Sequence, residues 1–300
     1  MTSGVLVMAY GTPSTREDVA AYYTRIRHGR APKPELLADL VRRYDAIGGT
    51  SPLAQRTAAQ VAALEGALEA SAPGAFDVVF GSKYEPPLLE DAAAQLLARG
   101  RSRVIGLVLA PHASSMSTDQ YMQRAREALG SRVGFVPIGA WWDEPGFLAL
   151  IARRVMDALA QIPEERRASA RVVFSAHSLP QRILQSGDTY PEQLAESARL
   201  AAERAGLSTF SLAWQSAGRT GETWLGPDIL EVIAELARQG VTDVVSCPIG
   251  FVADHLEVLY DIDVDAQRVA RESGVNLVRT ASLNDDADFI AVLADVVRRA

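Results

Sequence analysis

Short β-rich runs alternate with long Ala/Leu/Arg/Glu segments along the whole chain, and the alternation is written twice. Apolar residues spaced three and four apart make an amphipathic helix, while a brief apolar run between helices makes a strand buried on both faces. That order leads to a mainly parallel sheet with helices layered on it. Strands are predicted over 4–10, 76–81, 104–110, 133–139, 171–176, 209–214, 243–249 and 275–279. Helices are predicted over 16–28, 34–46, 53–70, 87–99, 117–129, 144–160, 190–205, 227–239 and 285–299.

The repetition sets the architecture. Val5-Leu6-Val7-Met8-Ala9-Tyr10-Gly11-Thr12-Pro13 parallels Val172-Val173-Phe174-Ser175-Ala176-His177-Ser178-Leu179-Pro180. Pro87-Leu88-Leu89-Glu90-Asp91 through Arg99-Gly100 parallels Pro227-Asp228-Ile229-Leu230-Glu231 through Gln239-Gly240. The predicted fold is α/β: two similar doubly wound, Rossmann-like halves, each with a parallel sheet, and a cleft between them. The first half is expected over 1–141 plus 286–300 and the second over 142–285, the whole chain acting as one unit. Ligands of such sheets sit beyond the carboxyl ends of the strands. Tyr10, His112, His177 and the segment 250–257 all follow strand ends. No G-x-G-x-x-G follows the first strand, so dinucleotide binding is not supported.

Bulk properties exclude several classes. A net charge of -7 argues against a nucleic-acid binder, which needs a basic face. The single cysteine, Cys247, excludes an internal disulfide framework and any all-cysteine zinc or iron–sulfur site. Its setting, Val244-Val245-Ser246-Cys247-Pro248, reads as a buried strand, with the thiol as a small core residue. Gly4-Val5-Leu6-Val7-Met8-Ala9 is too short and lacks the basic leader of a signal peptide, and no apolar run approaches the ~20 residues needed to span a bilayer. A cytoplasmic monomer without a transmembrane segment is expected.

Glu257, Asp261 and Asp265 recur four residues apart within Asp254–Asp265, so on a helix they stand on successive turns. Leu256, Val258, Leu259, Ile262 and Val264 between them are apolar, so the element is packed. Two readings fit: a file of oxygen ligands leading a hard dication inward, or a solvated acidic helix edge. His177, in a Ser-Ala-His-Ser-Leu-Pro turn, suits a base near neutral pH or a metal ligand, and a structural histidine bonded to a carbonyl fits as well. His255, two residues from Glu257, is expected to face elsewhere on that helix. His112 either lines the cleft or is structural. Arg25, Arg27, Arg30 and Lys33, followed by Arg42 and Arg43, concentrate positive charge in an acidic chain. They read as a carboxylate or phosphate site or as a solvated basic face. Ser51 in Gly48-Gly49-Thr50-Ser51-Pro52 either caps the next helix or donates to an anion. Tyr10, Tyr44, Tyr121, Trp141, Trp142 and Trp224 are candidate aromatic walls or core residues.

Taken together and in order, Met8-Ala9-Tyr10-Gly11-Thr12-Pro13, Tyr44 through Leu53, Leu109-Ala110-Pro111-His112, Ser175 through Pro180, Trp224-Leu225-Gly226-Pro227-Asp228 and Pro248 through Asp261 resemble the ferrochelatases. The closest likeness is to the short bacterial type acting on coproporphyrin III. The resemblance implies an enzyme that inserts Fe2+ into coproporphyrin III to give coprohaem in haem biosynthesis. The alternatives are protoporphyrin IX as substrate or a non-catalytic haem or porphyrin carrier. It implies that His177 and Glu257 face each other across the macrocycle pocket as catalytic and metal-handling groups, with Tyr10 approaching from the opposite face. It further implies porphyrin and propionate contacts from Arg27, Arg43, Tyr44, Ser51 and Tyr121. Asp261 and Asp265 are implied as metal ligands behind Glu257, on a wide helical turn where an outer Mg2+ is possible. No tightly bound cofactor is expected, Fe2+ being a substrate, and the [2Fe–2S] cluster of some relatives cannot form on one cysteine. A downstream enzyme using coprohaem is an expected partner. One departure stands out: the basic pair of close relatives after Ile26 reads Arg27-His28 here.

Overall fold

The structure is a computed structural model that describes residues 2–300. Strands β1 (Ser3–Ala9), β2 (Phe76–Ser82), β3 (Arg103–Val108) and β4 (Gly134–Ile138) form one parallel sheet in the order β2-β1-β3-β4. Strands β5 (Arg171–His177), β6 (Phe210–Gln215), β7 (Asp243–Cys247) and β8 (Asn276–Arg279) form a second in the order β6-β5-β7-β8. The two orders are the same pattern, so the internal repeat in the sequence is a repeat in space. In both, the chain reverses direction across the sheet beside the first strand. That switch point opens a crevice beyond the strand's carboxyl end, and there the chain places Tyr10 after β1 and His177 at the end of β5.

Strand alternation decides which core each side chain joins. Val5 and Val7 of β1, Ile105 and Leu107 of β3, and Val172, Phe174 and Ala176 of β5 belong to one core cluster shared by both halves. Helices α3 (Leu53–Ser71), α6 (Pro145–Leu159), α8 (Tyr190–Arg204) and α12 (Ala287–Arg299) supply its other members, among them Leu64, Phe147, Leu194 and Phe289. The alternate residues Leu6 and Met8 pack instead under α4 (Leu89–Ala98) and α5 (Thr118–Leu129). In the second half Val173 and Val244 meet Ile229 and Ile233 of α9 (Ile229–Arg238). Two further helices, α1 (Val19–Ile26) and α2 (Pro34–Ala46), lie between β1 and α3 in the chain, and a short α7 (Glu164–Arg167) precedes β5. No helix among the described residues is long and apolar enough to cross a membrane.

All eight predicted strands are present, with ends shifted by a few residues. β7 stops at Cys247 because Pro248 has no N–H for the ladder. The acidic segment carries the wide helical turn that the resemblance implies. It begins as α10 (Leu256–Tyr260), widens into a π turn over Asp261–Ala266, and resumes as α11 (Gln267–Glu272). Such a turn closes its hydrogen bonds five residues apart and is frequent at functional sites.

Two anchors tie the loop before α10 to its surroundings. Gln60 of α3, 1% exposed, donates to the carbonyls of Val252 (3.2 Å) and Asn284 (2.8 Å). Gly250 packs directly on β5, where a Cβ would stand 2.5 Å from Ala176 Cβ and 2.9 Å from its Cα. Gly250→Ala is therefore expected to lower the unfolding free energy by about 1–3 kcal/mol, read as a fall in urea midpoint at constant slope. An unchanged midpoint would show that the end of β5 yields without cost.

Candidate active site

His177 ends β5, where its Nδ1–H donates to the Ser178 carbonyl (2.5 Å). Tyr190 donates its hydroxyl to the His177 carbonyl (2.9 Å), fixing the backbone below. With Nδ1 committed as donor, Nε2 faces Glu257 Oε1 at 3.6 Å. Burial opposes a charged imidazole, but the neighbouring Glu257 carboxylate and the Ser178 carbonyl prevail and raise the His177 pKa to about 9. Burial likewise opposes the Glu257 carboxylate, and His177 and His255 overcome it, holding its pKa well below the usual range. At neutral pH the site is thus an imidazolium–carboxylate pair.

Three expectations need correction here. His177 and Glu257 do not face each other across a macrocycle pocket: both come from the second half, on one wall, and 3.6 Å leaves no room for a ring between them. His255 does not face away from Glu257. It precedes the helix, with extended φ −158° and ψ 177°, and its Nε2 stands 3.7 Å from Glu257 Oε2. The helical two-residue argument fails because α10 starts at Leu256. The acid file also divides. Asp261 accepts from Ser216 Oγ and lies 3.6 Å from Arg43, with burial the main cause that raises its pKa to about 6. Past the π turn, Asp265 sits beside Arg268 at 4.0 Å, and Asp263 forms a two-armed bridge to Arg279 (2.8 and 3.0 Å). No three His, Cys, Asp or Glu side chains gather to hold a metal among the described residues.

The pair faces a cavity of about 790 Å³ between the halves, within the size range of small-molecule sites. Tyr10, Arg27, Arg43, Tyr44, Ser51, Tyr121, His177 and Glu257 all line it, while Asp261 and Asp265 do not. Tyr10 is 42% exposed because it projects into this space, its ring edge-on to Tyr84 at 4.8 Å. Tyr44 is buried, with its hydroxyl 3.4 Å from Thr12 and its pKa pushed by burial to about 12. Ser51 accepts from Leu53 N (3.2 Å) in the turn that enters α3, whose N-cap is Pro52, and Ser51 itself lines the cavity. Arg27 leaves Nε buried without a partner. Arg43 is already engaged, by Asp39 at 3.1 Å and by Asp261. His112 is a buried neutral histidine: its Nε2 meets Ser197 Oγ at 2.8 Å, and burial lowers its pKa to about 3.

Sequence reasoning missed Lys83, Asp39 and Arg219 on the same walls. Lys83 is buried, donates to Gln120 (2.6 Å), and lies near the rings of Tyr84 and Tyr121 at 5.2 and 5.1 Å. Burial, with Arg124 nearby, lowers its pKa to about 8. It follows the end of β2, so the strand-end rule that selected Tyr10 would also have selected it. Asp39, inside a helix, and Arg219, in a loop, carry no such signal.

The paired groups make folding pH-dependent. The raised His177 pKa contributes stability that is complete below the free value of 6.5 and lost as pH rises through about 9. The lowered Glu257 pKa contributes stability present above 4.5 and lost as pH falls below it. The melting-temperature difference between the natural chain and Glu257→Gln is therefore expected to peak between pH 4.5 and 6.5 and to shrink above 9. A difference that stays flat with pH would show the pair uncoupled from folding.

Comparison with known proteins shows the fold and the family. Among solved structures, SirB from Bacillus subtilis with Fe3+ superposes at a TM-score of 0.62 with 15% identity, covering 100% of this chain and 95% of that one. CbiX, described as the terminal enzyme for biosynthesis of sirohaem in denitrifying bacteria, gives 0.56 with 14% identity and 99% of each chain covered. These likenesses show the two-halved chelatase fold. Among curated sequences, a coproporphyrin III ferrochelatase of Geobacillus sp. (strain WCH70) is 46% identical over 98% of this chain and 96% of its own. The coproporphyrin III ferrochelatase of Bacillus subtilis (strain 168) is 45% identical over the same shares. A ferrochelatase of Herpetosiphon aurantiacus is 45% identical over 98% of both chains. The ferrochelatase family model matches residues 2–300, and the chain therefore belongs to the ferrochelatase family.

Proposed function

We propose that this ferrochelatase inserts Fe2+ into coproporphyrin III to give coprohaem, with His177 and Glu257 at the reacting centre. The observation that carries the reading is the imidazolium–carboxylate pair on the wall of a cavity whose rim is rich in cations. Insertion exchanges one dication for two pyrrole protons, so the site must bind a flat acidic-edged ring, accept protons and guide a metal. The aromatic and apolar walls, including Tyr10, Leu179 and Phe251, supply contact for the ring. Arg27, Arg43, Tyr44, Ser51 and Tyr121 orient its propionates, guanidinium forks matching carboxylates in two arms.

Proton traffic follows from the pair. In the resting site His177 already carries its second proton, so the free base beside the cavity is Glu257. A ferrous ion drawn to Glu257 repels the imidazolium and discharges the Nε2 proton, as metal binding to protonated ligands does. The Nε2 proton leaves to solvent through the open cavity; the neutral imidazole then accepts one pyrrole proton, and the Glu257 carboxylate, as it releases the metal into the ring, accepts the second. Tyr10, from the first half, projects into the same cavity and is the hydroxyl oxygen that would be offered to the inserted metal. Asp261, bonded to Ser216 and 3.6 Å from Arg43, is the acid that stays behind the site, while Asp265 turns away to Arg268. A cytoplasmic monomer that hands coprohaem to a coprohaem-using enzyme completes the proposal, and the likeness to coproporphyrin III ferrochelatases supports its substrate.

The test is anaerobic mixing of the pure chain with Fe2+ and, separately, coproporphyrin III or protoporphyrin IX. The Soret band of coproporphyrin III is expected to shift with turnover. A shift with protoporphyrin IX alone would replace the substrate, and no shift with either would remove the activity. His177→Ala is expected to slow insertion by at least about 100-fold, the usual worth of a positioned acid–base group, while porphyrin still binds. Retained activity would displace His177 from the centre.

A further inference from the structure

Asp39, on α2 of the first half, is the focus of three guanidinium groups. Arg42 Nη2 lies 2.7 Å from Oδ1, Arg43 Nε 3.1 Å from Oδ2, and Arg219 Nη2 3.2 Å from Oδ2. Two of these arginines have other partners. Arg42 donates to the Tyr260 hydroxyl (2.6 Å), and Arg43 reaches Asp261 at 3.6 Å. Arg219 has none: among the described residues Asp39 is the one acid within 4.0 Å of it. It comes from the opposite half, on the loop that leaves β6, so the Asp39–Arg219 bridge crosses the cavity mouth, which both residues line.

The loop presenting Arg219 is anchored rather than slack. Ser216 at its start is bonded to Asp261, Gly218 lies flat on the Trp224 ring where a Cβ would collide, Trp224 Nε1 donates to Thr220 Oγ1 (2.9 Å), and Glu222 bridges Arg182 (3.2 Å). Arg219 is thereby held toward α2 while its side chain stays 57% exposed to the mouth. The local charge does not balance: three permanent cations share one carboxylate, and the second acid, Asp261, is reached by Arg43 alone. A planar carboxylate arriving at the rim can meet both arms of the guanidinium fork, whereas Asp39, shared among three arginines, meets Arg219 through one.

We infer that Arg219 is a further porphyrin-binding residue that grips a propionate from the second half, and that Asp39 is a stand-in carboxylate holding it in place until that propionate arrives. The inference rests on the proposed porphyrin substrate and adds a cation that comes from the opposite wall to Arg27 and Arg43. It also ties the two halves together in two ways. An empty site is bridged protein to protein, and a filled one through the substrate's edge.

Fluorescence quenching of coproporphyrin III by the full-length, metal-free chain tests it, because binding is then read apart from insertion. Arg219→Ala is expected to raise the dissociation constant about fivefold, the upper worth of an exposed ion pair, with Arg219→Lys recovering part of the loss. Asp39→Asn is expected to tighten binding, since it removes the competitor. An unchanged constant in Arg219→Ala, or weaker binding in Asp39→Asn, would overturn the inference and make the bridge a structural strap. Failure of the natural chain itself to bind coproporphyrin III would overturn the substrate instead.

Discussion

One ion pair organises this molecule: the His177 imidazolium against the Glu257 carboxylate. Both groups stand at the edge of a packed wall where either charge alone is costly, and each supports the other's ionisation. Everything around them serves that arrangement. Ser178 fixes the imidazole tautomer, Tyr190 fixes the backbone under it, and His255 holds the second carboxylate oxygen. Buried Gln215 donates to the Glu257 carbonyl (3.3 Å) and accepts from Ser178 N (2.7 Å), linking the two catalytic segments through β6. Preorganisation of this kind is what a site needs when its reactants are a bare dication and a rigid ring.

The two halves divide the work. The second half holds the reacting pair, with Arg182 and Arg219 at the rim, while the first contributes Tyr10, Lys83, Arg27 and Arg43. A shared central core and the Gln60 anchor fix one half on the other. The π turn belongs to this division. It points Asp261 at Ser216 and Arg43 near the cavity wall and carries Asp265 away toward Arg268. An uninterrupted α-helix would have kept the acids in one row.

Much of the fold was legible because it is written in local periodicity. Strand and helix periods gave all eight strands, and the repeat of Val5–Pro13 in Val172–Pro180 gave two equivalent sheets. The strand-end rule led to Tyr10 and His177, and it covers Lys83 as well. Glu257 could be singled out as one of a series of acids. Its partner could not: the spacing of His255 and Glu257 is misleading once a helix start falls between them, and 80 residues separate His177 from Glu257 in the chain.

The sequence by itself determined the layers, their duplication and the kinds of side chain at the crevice, since these depend on residue type and near neighbours. Only tertiary structure decided that imidazole and carboxylate share one wall, that Asp39 gathers arginines from both halves, and that Arg43 is engaged before any substrate arrives. Those facts depend on distances between residues far apart in the chain. Such distances are set by how the two sheets pack on their common core, which no local pattern encodes.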